Sequence, residues 1–231
     1  MSRIANFSSS SIYKLMSNGK KEGETGAAYK TYLKEKLREY RTGRSVNNQA
    51  NAKSLNWGNF MEGWMFDNKL GLDYQLVSQI RYKHDTLLWT GMPDFFVDGM
   101  VGDIKNPFTI NGFCDLVDSL TSVEAFKKAK PEYYWQLVSN AVLCNCKEAL
   151  LIVYMPYRED LKAIREAVNN YDGDAAKYAF ISWSTDRELP FLVKDKYYKD
   201  INKFQFTIPN EDKDALTNRV AMATKELKSL I

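Results

Sequence analysis

Apolar residues recur along this chain at two spacings, one helical and one strand-like, and their alternation lays out the architecture. Ser10 or Ser11 caps a short helix carrying Ile12, Leu15 and Met16, which Asn18-Gly19 ends. A longer helix over residues 25–43 puts Tyr29, Tyr32, Leu33, Leu37 and Tyr40 on one face. After a polar loop at residues 45–53, a third helix carries Trp57, Phe60, Met61, Trp64 and Met65 at core spacing. Strands are predicted over residues 74–81 and 86–89, followed by a hairpin. Residues 106–130 read as a loop with one short helix. Pro131 then opens a helix as a first-turn proline, with Tyr134, Leu137, Val138, Ala141 and Val142 buried and Tyr133, Gln136 and Asn140 on another face. The unbroken apolar run 149–154 has the pattern of a strand covered on both sides. A helix over 159–169, a strand over 178–183 and a C-terminal helix with Leu216, Val220, Leu227 and Leu230 complete the chain. This order predicts an α/β fold, a mixed β-sheet flanked by helices on both faces.

The hairpin carries the chemistry. Asp98-Gly99 between Phe95-Phe96-Val97 and Met100-Val101 is the signature of a two-residue type I′ turn. Counting outward from it sets Asp94 opposite Asp103, while strand alternation puts Asp103 and Lys105 on one face. Opposed β-carbons lie roughly 5 Å apart, and like charges so placed repel. A hard divalent cation, which prefers carboxylate and carbonyl oxygens, would neutralise them. Glu62 lies on the flank of the third helix's apolar stripe, about a third of a turn from its centre.

Composition narrows the remaining choices. At 231 residues, 45% hydrophobic and 13% aromatic, the chain can bury one good-sized core, and residues 1–231 are expected to form a single domain. No apolar run approaches the roughly 20 residues that span a bilayer, nor is there a signal-peptide core, so a soluble, cytoplasmic protein is expected. Cys114, Cys144 and Cys146 are too few for a disulfide framework or a four-thiolate centre. His84 is the only histidine, which excludes chemistry needing a histidine base beside a second histidine ligand. The net charge of +3 is unevenly spread, with +6 over residues 1–44 and −3 over the rest. A basic end beside an acidic site suits a phosphodiester substrate.

Glu62, Pro93-Asp94, Asp103-Ile104-Lys105 and Tyr133-Tyr134-Trp135-Gln136 occur in the order of the PD-(D/E)XK nuclease superfamily. More narrowly, the chain resembles the lambda-exonuclease-type viral recombination (alkaline) exonucleases. That match rests on Ser8-Ser9-Ser10-Ser11-Ile12, on Trp57-Gly58 ahead of Glu62, and on Tyr133 three residues before Gln136. It covers about residues 3–155; residues 156–231 form a C-terminal extension without family signal. Asp103 stands where this family more often has glutamate, which shortens its reach.

The resemblance implies a restriction-endonuclease-like fold and a Mg²⁺-dependent deoxyribonuclease, with Mn²⁺ as a substitute and two ions. Asp94, Asp103, Glu62 and the Ile104 backbone carbonyl are then the metal ligands. Lys105 orients or helps deprotonate the attacking water and stabilises charge on the phosphate, and Gln136 with Tyr133 positions the water or the lysine. Arg3 and Ser10 fall where the family clamps a terminal 5′-phosphate, a task suited to a guanidinium and a hydroxyl. The implied activity is 5′→3′ digestion of linear duplex DNA with free ends, leaving 3′ tails for recombination or repair in a bacterial or phage-infected cell. The implied partners are a single-strand annealing protein and further copies of the chain in a trimeric ring, with no membrane. Two alternatives remain at this point: a nuclease of other polarity or endonucleolytic action, and a non-catalytic DNA-binding or assembly module on the same fold.

Overall fold

The computed structural model describes residues 4–21, 23–46, 53–71, 73–77 and 80–231. Its N-terminal part comprises β1 (Phe7–Ser8), a 3₁₀ helix (Ser9–Met16), α1 (Ala27–Thr42) and α2 (Lys53–Lys69). Gly43 ends α1 at φ 67°, a left-handed C-cap that glycine adopts without a Cβ clash. Four short strands follow, β2 (Gln75–Leu76), β3 (Tyr82–Lys83), β4 (Trp89–Gly91) and β5 (Phe95–Val97), and then the longer β6 (Met100–Lys105). Beyond them come α3 (Ile110–Asp118), α4 (Val123–Ala129), α5 (Pro131–Leu143), β7 (Glu148–Tyr154), α6 (Leu161–Asn169), α7 (Ala179–Trp183), β8 (Ile201–Thr207) and α8 (Asn210–Ser229).

The main sheet has the order β2-β5-β6-β7-β8, antiparallel except for the parallel pair β6/β7. A smaller sheet, β1-β4-β3, combines a parallel and an antiparallel pair. Alternation along the central strands divides the core into two layers. Val101, Ala149, Leu151 and Val153 face α1, α5 and α8, whereas Ile104, Leu150, Ile152 and Tyr154 face α2, α6 and α7. The mixed α/β sheet with helices on both faces is therefore as the residue pattern predicts. Among the described residues no helix is long and apolar enough to cross a membrane.

The turn chemistry sets the register. Asp98 and Gly99 both have positive φ, 47° and 74°, as a type I′ turn requires. Val97 pairs with Met100, Phe96 with Val101 and Phe95 with Gly102. Glycine is needed at 102 because the Phe95 ring lies over it, where a Cβ would come within 2.0 Å of ring carbons.

Several expectations fail locally. Residues 106–130 hold two helices, α3 and α4, because Thr109 and Ser122 each cap one by accepting a backbone N–H, from Gly112 and Ala125 respectively. Residues 179–183 are helical, not a strand: the five-residue α7 packs Ile181 into the α6 layer. Strand β8 did not figure in the sequence reading; it closes the sheet beside β7. The strand expected over 74–81 narrows to Gln75–Leu76 among its described residues, and the one at 86–89 shifts to Trp89–Gly91. Tyr40 and Leu230, expected in helix stripes, are about half exposed. In the first of those helices the buried positions include Lys36 and Glu39, which can be buried because they pair.

Candidate active site

Asp103 and Lys105 project from the α5 side of β6, and Asp94 precedes β5 directly across the hairpin, with its N–H donating to the Gly102 carbonyl at 3.0 Å. Asp103 is fully buried. Its Oδ1 accepts from Gln136 Nε2 of α5 at 2.8 Å, and its Oδ2 is met by the Lys105 ammonium. Lys105 in turn donates to Gln136 Oε1 at 3.4 Å and sits 5.1 Å from the centre of the Tyr133 ring. One glutamine thus orients both the acid and the lysine, and an aromatic face supports the cation. Asp94 Oδ2 accepts the Ile104 N–H at 2.7 Å, tying the hairpin's two carboxylate-bearing strands together.

Glu62 brings a third carboxylate from α2, on the opposite layer, within reach of the Asp103 and Lys105 charges. Burial pushes its carboxyl up to about 7, with Asp103 adding to the rise and Lys105 opposing it. Asp94 is held well above the usual carboxylate range, by burial first and then by repulsion from Asp103 and Glu62. Burial works against the Lys105 charge, yet Asp103 and Asp94 outweigh it and hold the ammonium above its ordinary value. Three acids and one base share a largely dry site; burial is the main reason that Glu62 and Asp94 hold their protons, and the neighbouring negative charge adds to it.

This donor set fits a hard divalent cation by its chemistry, since every candidate ligand is an oxygen and net positive charge is lacking. Among the described residues, however, no three His, Cys, Asp or Glu side chains stand arranged to hold an ion as they are. Lys105 occupies one side of Asp103, and Asp94 is turned onto the Ile104 N–H.

The remaining predicted residues are less closely gathered. Ser10 is exposed on the 3₁₀ helix, its hydroxyl 3.3 Å from that of Ser8. Arg3, its expected partner in a phosphate clamp, lies outside the described residues. Many lysines of the basic N-terminal region already have acids beside them: Lys14 meets Glu35, Lys30 meets Glu24 and Lys36 meets Glu39.

The sequence reading missed the scaffold behind these groups. Ser139, fully buried on α5 one turn from Gln136, accepts the Trp89 indole N–H at 2.7 Å and bonds Ser9 Oγ at 2.7 Å. Ser9 also donates to the Thr90 carbonyl at 3.3 Å. Helix α5, β4 and the 3₁₀ helix are thereby locked just before Pro93-Asp94. Gly91 is needed there, as a Cβ would come within 2.4 Å of both Asn140 Oδ1 and Ser9 Oγ. A serine three residues after a helical glutamine was the available signal, but a serine at that spacing is too common to single out.

The fold is one of the restriction-endonuclease-like class, a mixed sheet with helices on both faces and a carboxylate-lysine cluster on its central hairpin. Within that class it is the fold of phage-related and alkaline exonucleases. It matches the phage related exonuclease from Haemophilus somnus 129PT with a TM-score of 0.63 at 17% identity, covering 97% of this chain and 94% of that one. It also matches the alkaline exonuclease LHK-Exo from Laribacter hongkongensis, alone and in complex with dAMP, with TM-scores of 0.60 at 14% identity, covering 98% of this chain and 90% of that one. The likeness thus runs through the C-terminal extension as well as the part that carries the motifs. No protein-family model and no curated protein sequence matches the chain.

Proposed function

We propose that this protein is a Mg²⁺-dependent deoxyribonuclease that digests linear duplex DNA from its 5′ ends, leaving 3′ single-stranded tails for recombination or repair. The observation that carries this reading is the uncompensated acidic cluster: Asp94, Asp103 and Glu62 around Lys105, with Glu62 and Asp94 raised by burial and then by repulsion from their acidic neighbours. A purely structural cluster gains nothing from such repulsion. The shared fold with exonucleases supports the same conclusion.

Asp94, Asp103, Glu62 and the Ile104 carbonyl are the groups that would hold Mg²⁺ or Mn²⁺, singly or as a pair, and the ion would supply charge neutralisation at the phosphate and acidify a water. Water attacks phosphorus and the bond to the leaving sugar oxygen breaks, so negative charge builds on the phosphoryl oxygens. Lys105, kept charged in the metal-free site by its two aspartates, stabilises that charge and orients or helps deprotonate the attacking water. Gln136 keeps Lys105 and Asp103 in register through its two bonds. Arg3 and Ser10 supply the grip on a terminal 5′-phosphate, which gives the enzyme its direction. The same reading includes assembly into a homotrimeric ring around DNA and work alongside a single-strand annealing protein in the cytoplasm; light scattering of the purified protein tests the ring.

Cleavage of end-labelled duplexes with and without Mg²⁺ tests the activity. Linear 5′-phosphorylated duplex is expected to be digested fastest, 5′-hydroxyl duplex more slowly and closed circles not at all. Arg3→Ala is expected to shrink the preference for the phosphate while leaving slow, Mg²⁺-dependent cleavage. Equal rates on both ends, or brisk cutting of circles, would remove the 5′-exonuclease reading and leave a nuclease of other specificity. Absence of cleavage under all conditions would favour a DNA-binding module.

A further inference from the structure

We propose that the cavity beside the carboxylate cluster is a base-binding subsite that stacks the nucleobase flanking the scissile phosphate, an inference that rests on the nuclease reading above. The cavity measures about 620 Å³, within the range of small-molecule pockets. Glu62 and Asp94 line it, so it opens directly onto the cluster where the phosphate would react. Phe60, Tyr171 and Tyr178 also line it, and they form an aromatic group of their own. Tyr171 meets Tyr178 edge-on with ring centres 5.2 Å apart, and Phe60 lies 5.3 Å from Tyr178 and 6.3 Å from Tyr171. Phe60 and Tyr178 are buried, whereas Tyr171 is 40% exposed and keeps ring surface free for a ligand.

Charge decides what kind of group enters. Asp67 and Asp172 line the cavity together with Glu62 and Asp94, against Lys177. Away from the cluster, Asp67 and Asp172 against Lys177 leave no excess of positive charge to hold a second phosphate, and the aromatic walls suit a flat uncharged group. The Asn59 and Asn170 amides, also in the lining, offer donors and acceptors to the edge of such a group. A nucleobase meets all these conditions, and because each of the four bases has a π-face, stacking here is independent of sequence. That is the property needed by an enzyme that digests any end it meets. Tyr171 and Tyr178 lie in the C-terminal extension, which contributes no catalytic motif, so the subsite gives that part of the chain a role.

The test crosses a change in the enzyme with a change in the substrate. Tyr171→Ala is compared with wild type on linear duplexes that are intact, or abasic at the terminal or at the next nucleotide of the cleaved strand. Loss of one stacking partner should lower kcat/KM by about 10-fold. One of the two abasic positions should cost wild type a similar factor and cost Tyr171→Ala almost nothing, while Tyr171→Phe behaves as wild type. Equal abasic penalties in wild type and Tyr171→Ala at both positions would overturn the subsite. A second measurement does not depend on cleavage: calorimetric titration in Mg²⁺ with dAMP and with 2-deoxyribose 5-phosphate. Wild type should prefer dAMP by about 10-fold and Tyr171→Ala should show no preference. A protein that discriminates dAMP in this way yet cleaves no DNA would refute the nuclease reading and keep the subsite. One that cleaves DNA without either effect would do the reverse.

Discussion

Two buried charge clusters in this molecule are built on opposite principles. On α1, Lys36 and Glu39 are about 5% exposed and matched one to one at 2.9 Å, and Glu39 Oε2 also accepts the Ala5 N–H at 3.1 Å. On the hairpin, Asp94, Asp103 and Glu62 surround Lys105 alone, and two of the acids are driven well above their ordinary range. The first cluster satisfies itself and straps the N-terminal segment to α1. The second is left short of positive charge in a site that opens to a cavity. A fold gains stability from the first arrangement and loses some to the second, and the cation binding proposed above gives the second its reason.

The largest expected difference between them is in activity. Asp94→Asn and Asp103→Asn should abolish cleavage, and Lys105→Ala should reduce its rate by roughly 10²-fold or more with DNA affinity little changed. Lys36→Ala, measured per folded molecule in the same gel assay, should cleave at near wild-type rate. Near wild-type cleavage by either aspartate variant would erase the contrast.

Stability should order the variants the other way. Removing one partner of a buried pair leaves an uncompensated charge, so Lys36→Ala should lose about 3 kcal/mol in urea denaturation. Asp94→Asn removes repulsion and should leave the metal-free melting temperature unchanged or raise it. Mg²⁺ should raise the melting temperature of wild type and fail to do so for Asp94→Asn.

The smallest effect is one of pH. Glu62 binds its proton more tightly in the folded protein, near 7, than at its ordinary value of 4.5. The unfolded chain therefore loses that proton first as pH rises. Metal-free stability is full below about 4.5 and declines as pH climbs through about 7. In Glu62→Gln, denaturation across this range should show a shallower decline. An unchanged slope would remove Glu62 from the cluster.

What was legible beforehand follows from how local each signal is. Asp98-Gly99 specifies its turn by itself, and alternation then carries the register out to Asp94 and Asp103 without help from the rest of the chain. The helices carrying Glu62 and Gln136 were legible because each has a full apolar stripe. Strand β8 was not, although Phe204 and Phe206 alternate, because it lies at the sheet's edge with Asn202, Lys203 and Gln205 interleaved. Residues 179–183 were misread because aromatic and β-branched composition suggests a strand, whereas packing of Ile181 beside α6 favours one helical turn.

Contacts between residues near in the chain, together with simple periodicity, suffice for the hairpin, the face shared by Asp103 and Lys105, the helices on either side and the class of fold. Long-range packing, by contrast, lets Gln136 bond both Asp103 and Lys105, joins Ser139 to Trp89 and Ser9, and sets Tyr171 and Tyr178 in one cavity with Glu62 and Asp94. These groups come from segments some 30 to 130 residues apart. No periodicity relates them; burial of two apolar layers on one sheet brings them together, and the charge balance of the site follows from that meeting.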